Sequence, residues 1–138
     1  VVETMRGHDL GRVLWTAPAR PNTGIPGEIG GRSAERVLRA PVDGVLTGTA
    51  RLGDRVSEGQ VIARVDGGEV RAPFDGVLRG LVHDGLVVRA GYKIGDVDPR
   101  AEPQHCFTIS DKSLAVGGGV LQAAMEWLQM NPARSKTA

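Results

Sequence analysis

The chain has 138 residues, of which 20 are Gly and 4% aromatic, and it carries a formal net charge of +1 with a pI near 8.2. That balance argues against nucleic-acid and membrane partners, and no apolar run approaches the roughly 20 residues of a membrane span. Glycine at about twice its ordinary usage points to many short strands joined by turns that need φ > 0, not to a helical bundle.

Residues 1–34 read as a strand-and-loop extension. The chain begins with Val1, not Met, as expected for a fragment or processed product of a longer protein. "VVET" and "GRVLW" have the composition of short strands. Between them, Met5–Arg12 crowds Arg6, His8, Asp9 and Arg12 into eight residues. Two readings stay open for this cluster. Arg forks beside a titrating His suit an anion-binding or catalytic site; the same residues suit a solvated turn, with Asp9 bonding local N–H groups and pairing with an Arg. A Gly/Pro-rich loop follows at Pro21–Gly31.

Residues 35–98 hold an internal repeat. "RAPVDGVLTG" at Arg39–Gly48 returns as "RAPFDGVLRG" at Arg71–Gly80, and the gapless alignment of 39–66 on 71–98 matches 14 of 28 positions. Beyond the first ten residues the matches are almost all Gly or branched apolar residues, the signature of turn and core positions. Pro-Val-Asp-Gly and Pro-Phe-Asp-Gly are turn sequences, and "VIARV" is a strand. Neither copy buries its apolar face alone. Two copies facing each other about a pseudo-twofold axis share one core, expected to include Val37, Val45, Val56, Ile62, Val65, Val77, Val88, Ile94 and Val97.

The pattern Ala40-Pro41-x-x-Gly44 … Gly53-Asp54-x-Val56-x-x-Gly59-x-x-Ile62, with a second Ala72-Pro73-x-x-Gly76, resembles the biotinyl/lipoyl-carrier domain. The resemblance implies a mostly β fold, a barrel-sandwich hybrid of two four-stranded sheets. In that family a Lys at the hairpin between the halves carries biotin or lipoate. Here the hairpin Ala63–Pro73 contains no Lys. Arg64 and Arg71 cannot replace it, because a guanidinium stays protonated, and Lys93 lies in the second copy away from the tip. No cofactor is therefore expected to be covalently attached.

Residues 99–138 read as loop, a short strand at Cys106–Ile109, a helix at about 120–130 that Asn131-Pro132 ends, and a frayed tail "ARSKTA". Ser110 or Asp111 is placed to N-cap a helix, and Leu121, Met125 and Leu128 share a face beside Val120, Ala124 and Trp127. His8, His83, His105 and Cys106 lack metal-ligand spacing, so no metal site is expected. Cys106 as the single Cys excludes an internal disulfide and fits a reducing compartment. It reads as a small buried residue more readily than as a nucleophile. Gly117-Gly118-Gly119 follows no phosphate-loop spacing, which leaves tight packing or a turn.

Over nearly the whole chain, "VVETMRGHDLGRVLW", "NTGIPGEIGG", "KIGDVDPR" and "ISDKSLAVGGGVLQA" resemble the C-terminal part of a bacterial family of selenium-dependent molybdenum hydroxylase system proteins. The resemblance implies a cytoplasmic accessory role in maturing a molybdenum enzyme, with the molybdenum hydroxylase or other maturation proteins as partners. One expectation is a non-catalytic binding or assembly module. The alternative is part of an enzyme acting on a molybdenum cofactor or selenium precursor, in contact with that cofactor; a biotin or lipoate carrier is disfavoured by the missing Lys. The apolar helix and the small repeat core lead to the further expectation of a homodimer.

Overall fold

The computed structural model describes residues 1–21 and 27–132. The chain divides into two units: Val1–Gly24 with Ile109–Ala138, and Ile25–Thr108. The repeat at 35–98 lies inside the second, together with the end of the N-terminal extension (25–34) and residues 99–108; the rest of the extension and the C-terminal helix form the first.

The second unit carries eight strands: β1 (Val37–Arg39), β2 (Gly44–Gly48), β3 (Arg55–Val56), β4 (Val61–Val65), β5 (Gly68–Arg71), β6 (Gly76–Leu81), β7 (Val87–Val88) and β8 (Lys93–Asp98). They form two antiparallel sheets of four strands, ordered β1-β8-β6-β3 and β5-β4-β2-β7. Exchanging β1 with β5, β2 with β6, β3 with β7 and β4 with β8 converts one order into the other. The registers repeat as well. Val37, Leu38 and Arg39 face Asp96, Gly95 and Lys93, while Glu69, Val70 and Arg71 face Arg64, Ala63 and Val61, so even the bulge is copied. Each sheet takes two strands from each copy, so neither copy completes a sheet by itself. The repeated glycines have a common cause: Gly59 and Gly91 both sit at φ +78°, in tight turns that only Gly enters without strain.

Leu46, Ile62, Val65, Leu78, Ile94 and Val97 are completely or almost completely buried, with Val56 and Val88 beside them. Val77 is also buried. Val37 and Val45 depart from the expected core. In β1 and β2 adjacent residues point to opposite faces, and the larger Leu38 and Leu46 take the inner positions. Val45 thus lies 42% exposed, directly across from Val87 at 74%. The expected strand at Cys106–Ile109 is also absent. Pro103–Cys106 is instead a 3₁₀ turn, started by Pro103 and by a hydrogen bond from Gln104 N–H to the Glu102 carboxylate at 3.3 Å. It packs on β6, where the Cys106 thiol faces the Leu78 carbonyl.

In the first unit, "VVET" and "GRVLW" meet in a single antiparallel bridge, Val2 to Val13, rather than in full strands. The helix α1 spans Asp111–Met130, beginning nine residues before the expected start. Ser110 caps it, its hydroxyl accepting from Ser113 N–H at 3.1 Å. Gly117, Gly118 and Gly119 are helical, not a turn. Gly119 is needed there, since a Cβ would collide with the Gly11 carbonyl oxygen. Asn131 closes the helix, its N–H donating to Trp127 O at 3.0 Å. Among the described residues no helix is long and apolar enough to cross a membrane. The tail 133–138 and residues 22–26 of the Gly/Pro loop lie outside the described residues.

Candidate functional site

The N-terminal polar cluster is built on the Val2–Val13 bridge. Glu3 N–H donates to Arg12 O at 3.0 Å and Gly11 N–H to Glu3 O at 2.9 Å, folding residues 5–10 into a connecting turn. Within it the four candidate residues divide. Arg6 reaches Asp111 at the start of α1 through a two-pronged pair, 2.6 and 3.0 Å. Asp9 instead bridges Arg12 Nε at 3.1 Å and Arg20 Nη2 at 2.7 Å. His8 is exposed and makes no hydrogen bond among the described residues.

Behind this surface lies Glu3, which sequence reasoning passed over. It is buried, and its carboxylate accepts from Met5 N–H at 2.8 Å and Arg20 N–H at 3.0 Å. The backbone bonds from Arg20 and Met5 lower its pKa against the opposing effect of burial. Glu3 thus ties residue 20 to the bridge, and its signal was one acid among the apolar residues of a short strand. An anion arriving at Arg6 or Arg12 would compete with the carboxylate of Asp111 or Asp9. Exposed pairs of this kind contribute little. Arg6→Ala is expected to cost less than about 1 kcal/mol, with a smaller loss at high salt. Urea denaturation at two ionic strengths checks this.

The hairpin between the copies is the β4–β5 turn. Val65 faces Gly68, and Asp66-Gly67 forms a two-residue tip. Asp66 adopts φ +46°, as such tight turns require. Its carboxylate accepts from Val45 N–H at 3.1 Å, which locks the tip onto the start of β2. Glu69 sits between Arg64 and Arg71 and pairs with both. The tip offers no amine for an acyl group, so its residues do not fit biotin or lipoate attachment.

The densest buried charge lies at the end of β8. Asp98 is 1% exposed. It accepts from Arg79 Nη1 at 3.0 Å, Arg100 Nη2 at 2.6 Å, Arg100 Nε at 3.0 Å and the Arg100 N–H at 3.0 Å. Burial acts to raise its pKa, but the side-chain and backbone bonds from Arg100 and the charges of Arg100 and Arg79 outweigh it and hold the carboxyl well below the usual range. Beside it, buried Arg36 binds Asp96 at 3.0 Å and the Val97 carbonyl at 3.2 Å. The repeat offered a signal in the Asp66/Asp98 match; of the arginines that make Asp98 different, Arg100 lies two residues on and Arg79 comes from β6. Burial raises the Cys106 thiol pKa, which disfavours a thiolate nucleophile. The neighbouring His105 Nδ1 is shielded, with no hydrogen-bond partner among the described residues. Among those residues no group of three or more His, Cys, Asp or Glu is placed to hold a metal ion.

No family model matches the chain. It is 50% identical over 125 residues to a protein of Escherichia coli (strain K12) named "Uncharacterized protein YqeB". The alignment covers 91% of this chain but 23% of that relative, so the chain spans less than a quarter of its length. Among solved structures, an aspartoacylase family protein from Mesorhizobium loti is similar over 46% of this chain and 23% of that one, at 15% identity and a TM-score of 0.41.

Proposed function

We propose that residues 35–98 are a barrel-sandwich hybrid of the biotinyl/lipoyl-carrier kind without carrier chemistry. In this reading they serve as a non-catalytic binding and assembly module in a cytoplasmic accessory protein that matures a selenium-dependent molybdenum hydroxylase. The observation that carries the reading is the Asp66-Gly67 tip: the hairpin that bears the acceptor amine in carriers has no Lys here, and its Asp66 carboxylate is bonded to Val45 N–H, on an otherwise repeated two-sheet framework. The molybdenum context rests on the sequence resemblance of the flanking segments. The exposed Val45–Val87 pair is the surface this reading assigns to the protein partner.

Three measurements test it. Intact mass after co-expression with biotin and lipoate ligases is expected to show no addition; a gain matching either group overturns the loss of carrier chemistry. A molybdenum hydroxylase is expected to co-purify with the protein, and Val45→Asp with Val87→Asp is expected to lower its recovery at least tenfold. Failure of the hydroxylase to bind sinks the assembly role. So does loss of turnover of a cofactor precursor in a full-length His8→Ala protein that still binds, since that result assigns the site to an enzyme.

A further inference from the structure

The helix α1 presents a long face that its own unit leaves open. Its inner side is set by Asp111, held by Arg6, by Gly119 against Gly11, and by Glu126, which accepts from Trp15 Nε1 at 3.0 Å. On another side Leu114, Leu121, Met125 and Leu128 are all exposed, Leu121 at 64%. The only charged residues of the helix are Asp111, Lys112 and Glu126, and none interrupts this stripe.

Its pattern is symmetric about Leu121. Leu114 and Leu128 lie seven residues to either side, and Met125 and Ala124 stand on one side where Gly117 and Gly118 stand on the other. In an antiparallel pair of such helices about a twofold axis at Leu121, Leu121 meets its own copy and Leu114 meets Leu128. Met125 then lies over Gly117, and Ala124 over Gly118. Away from the axis the larger residues fall opposite glycines, the self-complementarity that a twofold interface requires. The antiparallel arrangement also sets opposite helix-dipole ends together.

The two glycines support this independently. Gly in a helix interior is destabilising. Gly119 has its reason in Gly11, but a Cβ added at Gly117 or Gly118 would meet nothing within 4 Å. Packing among the described residues therefore does not call for them, and a close neighbour from a second copy would.

We infer that α1 is a homodimerisation helix: a second copy of this chain packs antiparallel on the Leu114–Leu128 face. The helix is about 30 Å long, and a stripe roughly 10 Å wide along it is small beside a permanent dimer interface. The dimer is therefore reversible, and its mass falls on dilution. Light scattering of the full chain between about 1 µM and 1 mM is expected to show this transition. Leu121→Arg sets two like charges face to face on the axis and is expected to weaken association at least tenfold. Gly118→Leu has room in the single chain and improves helix propensity, so it is expected to raise thermal stability at low concentration while weakening the dimer. Leu121→Cys is expected to cross-link to itself on mild oxidation in a Cys106→Ser background. A mass of one chain at every concentration overturns the inference, as does a dimer indifferent to Leu121→Arg and Gly118→Leu. Failure of the Leu121→Cys protein to cross-link within a demonstrated dimer overturns the antiparallel axis.

Discussion

Asp98→Ala is expected to destabilise the β unit by about 3–5 kcal/mol, the range for removing one partner of a buried charged network. The carboxylate receives hydrogen bonds from Arg79 and three from Arg100. Its removal leaves the partly buried Arg79 without that anion and the Arg100 backbone N–H without its acceptor. Asp98→Asn keeps the shape and one acceptor oxygen, and is expected to recover part of the loss. The pH dependence follows from the lowered native pKa. Unfolded Asp titrates near about 3.9, so the wild-type contribution is complete above about pH 5 and is lost as pH falls through 4 toward the lower native value. Urea denaturation between pH 7 and 3 is therefore expected to show a steeper fall for wild type than for Asp98→Ala. Equal slopes would refute the assignment.

Leu46→Ala and Leu78→Ala are each expected to cost about 2–5 kcal/mol through lost burial and the cavity left behind. Both side chains are completely buried. They occupy equivalent places, Leu46 facing Val65 and Leu78 facing Val97. Because the core is shared between the sheets, neither copy can yield while the other stays folded. Each variant should thus unfold in one transition, with its denaturant slope unchanged, and the double variant is expected to be unfolded at room temperature, given ordinary domain stabilities of about 5–15 kcal/mol. A loss below about 1 kcal/mol in either single variant, or two separable transitions, would contradict the shared core.

The repeat was legible because its two copies keep a constant spacing and because turn glycines such as Gly59 and Gly91 face the same backbone demand. Which side of each strand turns inward was less legible. Val45 and Leu46 are adjacent and both apolar, so alternation alone does not choose between them, and the larger side chain took the core. Ser110 marked the helix start, but Gly117–Gly119 interrupts the apolar pattern and hides the first turns, since nothing in the sequence shows Gly11 pressing against Gly119. In the polar cluster the Asp9–Arg12 pair was legible and its longer-range partners were not. Proximity in sequence grouped Arg6, His8, Asp9 and Arg12, whereas partners distant in sequence, Asp111 and Arg20, decide where two of them go. Asp98 was readable only in part: Arg100 stands two residues away, but its burial and the approach of Arg79 follow only once β6 and β8 pair.

The interleaving of the two copies also sets a timetable. Val37 pairs with Asp96 and Gly44 with Val88, so the first strands of the repeat to leave the ribosome must wait for partners roughly 45–60 residues behind them. At about 5–20 residues per second, that is several seconds in which β1 and β2 show unpaired edges. Pairings so distant along the chain also form slowly once all the strands are present. The nascent first copy is thus the stage at which this β unit most needs protection from aggregation. Slowed translation of the second copy would harm its yield more than slowed translation of α1.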